Sequence, residues 1–107
     1  MPTKDELLVV LYAGGHVGAS RGIMARHLAA QLDCPERQIR ELVTEARMET
    51  VAICGTPRTG YFIAKTPEEL EETCAFLRHR ALHSLTLESR LRRMPLRELL
   101  GQLRITA

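Results

Sequence analysis

The sequence has no tryptophan, and only two tyrosines and two phenylalanines among 107 residues. A core so poor in large rings must be built from Leu, Ile, Val and Ala, which suits packed helices with little sheet. Cysteine is also scarce. Cys34, Cys54 and Cys74 are odd in number and widely spaced, with no CxxC pair, so nothing indicates a disulfide framework or a zinc ribbon. No charged-then-apolar leader opens the chain, and no apolar run is long enough to span a membrane. A reducing, cytoplasmic setting is the expectation that follows. Charge of one sign is lacking too: 15 Lys and Arg stand against 13 Asp and Glu, a net +2, which by itself argues weakly for a polyanionic partner.

Catalytic patterns are missing. There is no HExxH, no Gly-rich phosphate loop, and no nucleophile-elbow context around Ser84 or Ser89. His79 and His83 share a helix face without a third ligand nearby, and His16 and His27 are isolated. Cys34 beside Pro35 reads as a semi-buried small residue. No enzyme, metal or cofactor is expected.

What is present is a globular composition, 45% hydrophobic and 26% charged, in a length that fits one domain with an appended element. Residues 4–13 carry Leu7, Leu8, Leu11 and Tyr12 at helical spacing, with acidic residues at the start and Gly14-Gly15 as the stop. The stretch 14–18 then reads as a connector. Ser20 is placed to cap a second helix running to about Leu32, with Ile23, Met24, Leu28, Ala29 and Leu32 as its stripe. Asp33-Cys34-Pro35 breaks it. A third helix over about 35–48 takes Pro35 in its first turn and buries Ile39, Leu42, Val43 and Ala46. Two β-rich segments around Gly55-Thr56-Pro57-Arg58-Thr59-Gly60 predict a hairpin over 51–64, which must lie against the helices to be stable. Thr66, Pro67 and Glu69 form a capping box that starts a helix to about Arg93, stopped by Pro95. Leu96, Leu99, Leu100 and Leu103 mark a further short helix. The fold class expected is mainly α with a small β-hairpin.

The order helix, helix, turn, helix, hairpin resembles the winged helix-turn-helix. Arg21-Gly22-Ile23 with Ala25-Arg26-His27-Leu28-Ala29 resembles the first helix of bacterial helix-turn-helix motifs, where a small residue lets two helices cross closely. Residues Pro35 to Val43 look like a recognition helix. The segment Gly60-Tyr61-Phe62-Ile63-Ala64 is similar to the wing of biotin-repressor-like and DeoR-like proteins and of small phage or prophage winged-helix proteins. The resemblance covers about residues 5–65. It departs at Glu49-Thr50, where those families usually place a Gly. The domains expected are a winged helix-turn-helix over 1–65 and a long C-terminal helical tail over 66–107.

Such a resemblance implies binding of double-stranded DNA, with the outer face of the third helix in the major groove. That face would offer Arg37, Glu41 and Thr44, flanked by Gln38, Arg40 and Arg47. Arg suits guanine and Gln suits adenine, while Arg40 and Arg47 are expected on phosphate. Glu41 repels phosphate unless it accepts from a cytosine amine or pairs with Arg37 or Arg40. Arg58 at the wing tip and Arg21 near the start of the second helix are further candidates for the DNA backbone. Tyr61 and Phe62 are expected to pack within the hairpin. The tail turns from Glu68, Glu69, Glu71 and Glu72 to Arg78, Arg80, Arg90, Arg92, Arg93, Arg97 and Arg104. Its length and surplus Leu point to a homodimer paired through the C-terminal helix; the alternative is a helix folded back on its own domain. The function expected is sequence-specific DNA binding as a dimeric transcriptional regulator or phage-type accessory protein. The alternative is a protein-interaction module that does not bind DNA.

Overall fold

The computed structural model describes residues 1–103. It is mainly helical: α1 (Lys4–Ala13), a 3-10 turn (Ala19–Arg21), α2 (Ala25–Leu32), α3 (Glu36–Met48), strands β1 (Ile53–Thr56) and β2 (Gly60–Ile63), then α4 (Pro67–Leu91) and α5 (Leu96–Leu103). The strands form one antiparallel hairpin, with Ile53 opposite Ile63 and Thr56 opposite Gly60. The chain divides into two compact units, Met1–Thr73 and Cys74–Ala107.

In the first unit a single cluster joins Leu7 and Leu11 of α1, Ile23 of the extended segment before α2, Leu28 and Ala29 of α2, four residues of α3, and Ile53 and Ile63 of the hairpin. The α3 contribution is the Ile39, Leu42, Val43 and Ala46 face anticipated from helical periodicity. α2 packs on α3, and α1 packs on α3 and β2. Removing this apolar surface from water is the dominant stabilising term.

Ser20 does not cap α2. It lies in the 3-10 turn, and α2 begins at Ala25 with Met24 as an extended N-cap that makes no side-chain capping bond. The reason is backbone pairing. Ile23 and Tyr61 exchange both backbone hydrogen bonds at 2.8 Å, so the chain around Ile23 must be extended. Ile63 N–H donates to the His16 carbonyl at 2.8 Å and its carbonyl accepts from Gly18 at 2.9 Å. The expected connector therefore covers the outer edge of β2, whose donors and acceptors would otherwise lack partners. Gly22 serves this approach: a Cβ there would stand 2.1 Å from the Thr59 carbonyl oxygen. Pro35 likewise stands just outside α3, in extended geometry, and caps it by backbone alone.

α1, α3 and α4 end in one geometry. A left-handed residue follows the last turn, and two backbone N–H groups reach back to otherwise unpaired carbonyls. At α1 the left-handed residue is Gly15, with His16 N–H on Leu11 at 2.9 Å. At α3 it is Thr50, at φ 68°, with Val51 N–H on Ala46 at 3.0 Å and Thr50 N–H on Arg47 at 2.9 Å. At α4 it is Arg93, with Met94 N–H on Ser89 at 2.9 Å. Asp33 is left-handed after α2 as well, a conformation Asp tolerates. Thr50 is the costly one, because its β-branch crowds the following carbonyl.

The start of α4 is fixed by Glu69. Glu69 N–H donates to Thr66 Oγ1, and the carboxylate accepts from the backbone of Thr66 at 3.2 Å, closing the expected capping box. It also accepts from Ala19 N–H at 2.6 Å and Lys65 N–H at 2.8 Å. Thr73, buried one turn on, accepts from Gly55 N–H at 3.1 Å. In the second unit, Leu99 and Ser89 are buried, the Arg80 guanidinium lies 5.9 Å from the centroid of the Phe76 ring, and Arg92 pairs with Glu88 at 2.8 Å. Arg104 lies outside the described residues.

Thr50→Gly is expected to raise stability by about 1 kcal/mol in urea denaturation, because relief of the left-handed strain exceeds the added entropy of the unfolded chain. A loss of stability would contradict the strain assignment. The Ala19 bond, with those of Lys65 and Thr66, holds the Glu69 carboxyl below the usual glutamate range. Its stabilisation is therefore present above the unfolded-chain value and lost as pH falls through the lowered folded value. The gap in Tm between the wild type and Glu69→Gln should be wide at neutral pH and shrink in acid; a gap independent of pH would disprove this.

Candidate nucleic-acid interface

With one face of α3 buried in the core, its opposite face is free. Arg37, Arg40, Glu41 and Thr44 line an open depression of 310 Å³ there. Helical spacing explains the grouping, since positions 37, 41 and 44 stack along one line and Arg40 adjoins it. Arg37 Nε lies 3.8 Å from Glu41 Oε1, one turn apart, with the two side chains 82% and 68% exposed. An ion pair so open to water contributes little to stability. Thr44 Oγ1 donates to the Arg40 carbonyl at 3.0 Å, which leaves its lone pairs as acceptors on the outer face.

Four other candidates sit differently. Gln38 is half-buried and its Oε1 is enclosed with no hydrogen-bond donor among the described residues, so it does not offer the paired amide edge that adenine needs. Arg47 was expected on phosphate, yet its Nε donates to the Ile53 carbonyl at 2.8 Å and ties the end of α3 to β1. Arg21 is exposed but belongs to the 3-10 turn, four residues before α2, and its carbonyl accepts from His16 Nδ1 at 2.8 Å. Arg21 therefore stands outside α2 and is not part of its first turn. Arg58 is at the hairpin tip as anticipated, 3.9 Å from Glu72 on α4. Periodicity and composition gave no sign of the Glu72 contact, which joins residues far apart in sequence.

The tip itself is ordered by Thr56 and Thr59. Thr59 N–H donates to the Thr56 carbonyl at 3.2 Å, and Thr56 N–H donates to Thr59 Oγ1 at 3.1 Å. Tyr61 and Phe62 are hairpin residues, with Phe62 buried. Among the described residues, no group of three or more His, Cys, Asp or Glu could hold a metal ion. No described helix is long and apolar enough to cross a membrane. No protein-family model, curated protein or solved structure matches this chain.

The two kinds of arginine should separate in one measurement. Arg47→Ala is expected to lower stability by about 1–2 kcal/mol through loss of a charge-assisted bond to a backbone carbonyl. Arg37→Ala should change it by less than about 0.5 kcal/mol, as for most exposed positions. Equal effects in chemical denaturation would contradict these placements.

Proposed function

We propose that this chain binds double-stranded DNA as a winged helix-turn-helix, with α2 and α3 as the paired helices and the β1–β2 hairpin as the wing. The observation that carries the reading is the exposed face of α3, where Arg37, Arg40 and Thr44 stand together opposite a fully buried apolar stripe. Such a helix lies in the major groove with its early residues toward the base edges. Arg37 then meets guanine and Arg40 meets phosphate, while Arg58 on the hairpin tip reaches the backbone or minor groove. Leu77, Leu82, Leu87 and Leu91 are exposed on α4 and support pairing of two copies through that helix. A dimer of this kind would act on a pseudo-palindromic site, as a transcriptional regulator or phage-type accessory protein.

A second reading, a protein-interaction module on the same scaffold, is favoured by one set of contacts. Arg37, Arg58 and Arg47 are each engaged within the molecule, by Glu41, Glu72 and the Ile53 carbonyl. Of the cations proposed on α3 and the hairpin tip, that leaves Arg40 without such a partner among the described residues. Fluorescence anisotropy with random-sequence duplex DNA, across a salt series, separates the two readings. DNA binding should weaken linearly in log–log form, with a slope near −3 if roughly three or four phosphates are neutralised. Arg37→Ala with Arg40→Ala should abolish sequence preference. No binding at low salt would favour the protein-interaction module, and binding unaffected by both substitutions would overturn the assignment of this face of α3.

A further inference from the structure

Glu41 is out of place on a phosphate-facing surface. It is largely exposed, it has an open ion pair with Arg37, and a carboxylate there repels every duplex alike. A sequence-dependent return offsets that cost only if the carboxylate accepts a hydrogen bond from a base. In the major groove the exocyclic amines of cytosine and adenine are the available donors. Adenine is best read by an amide that gives and takes at once, and the amide of this helix, Gln38, has its oxygen enclosed. The outward groups that remain are arginine donors, the Glu41 carboxylate and the Thr44 hydroxyl.

From this we infer that Arg37 and Glu41 together read one G·C base pair, with Arg37 on guanine and Glu41 on the amine of its cytosine. The inference rests on the DNA-binding reading above and specifies its target chemistry. Guanine O6 and cytosine N4 hydrogen-bond to each other within the pair, so they lie about 2.9 Å apart on the groove edge. Arg37 Nε and Glu41 Oε1 lie 3.8 Å apart in the free protein, so the two side chains can reach neighbouring groups of one base-pair edge. On docking, the open Arg37–Glu41 contact is exchanged for bonds to one base pair, at little cost because that contact is so exposed to water. Reversing the pair to C·G, or replacing it with A·T, places a mismatched donor or acceptor opposite at least one of the two side chains. Arg40 stays on phosphate and contributes affinity without preference.

The test is selection of bound sequences from random duplex DNA by the full chain and by Glu41→Ala, followed by anisotropy on the best duplex and its single-pair variants. The wild type should enrich one invariant G·C position in each half-site. Glu41→Ala should lose about tenfold discrimination at that position, within the usual range for a base-edge contact. It should at the same time bind unrelated duplexes a few-fold more tightly, because a negative charge has gone. These two changes have opposite sign, and a merely solvated glutamate cannot produce both. If Glu41→Ala tightens all duplexes equally and leaves the enriched sequence unaltered, the pair reading is overturned while DNA binding stands. If the wild type binds no duplex, the DNA-binding reading falls as well.

Discussion

The backbone pairing along the outer edge of β2 is the constraint on which the first unit is arranged. A two-stranded hairpin has two open edges and little stability in water. Here Ile23 takes both backbone groups of Tyr61, and His16 and Gly18 take those of Ile63. The consequences run backward along the chain. Residues 16–18 are drawn onto the sheet, the 3-10 turn forms between the two contacts, and α2 cannot begin before Ala25. They also run forward, because the turn presents the Ala19 N–H to Glu69 and so ties the start of α4 to the same edge.

Much of this was legible in the sequence where the signal was local. The buried face of α3 follows from apolar spacing, the hairpin from a Gly-bounded loop between β-rich segments, and the start of α4 from Thr66, Pro67 and Glu69. Ser20 misled because a good capping residue at a plausible position is only a propensity, and the pairing of Ile23 with Tyr61 overrode it. The C-terminal cap of α3 was hidden for another reason. Its left-handed residue is Thr50, so the usual glycine marker is absent although the hydrogen bonds of that cap are made.

The candidate site divides along the same line. Arg37, Arg40 and Thr44 share a surface because they share a helix face, which spacing alone foretells. Arg47 and Arg58 have partners that are not neighbours on their own elements, a strand carbonyl and a carboxylate on a later helix. Gln38 lies at the margin of the buried stripe, where a rotation of a few tens of degrees decides whether its amide faces water or core. No periodic rule resolves these cases, since each depends on which element packs beside α3 or the hairpin.

The Glu69 carboxylate gathers amides from two segments far apart in the sequence, Ala19 and Lys65–Thr66. None of the three bonds survives if the side chain swings away, so the Ala19 turn and the first turn of α4 open as a unit. One side chain thus serves both the 3-10 turn and the start of α4. In hydrogen exchange, the amides of Ala19, Lys65 and Thr66 would share one opening event, although α2, α3 and the hairpin separate them in the sequence. A nascent chain that has not reached residue 69 would hold the 3-10 turn without that lock.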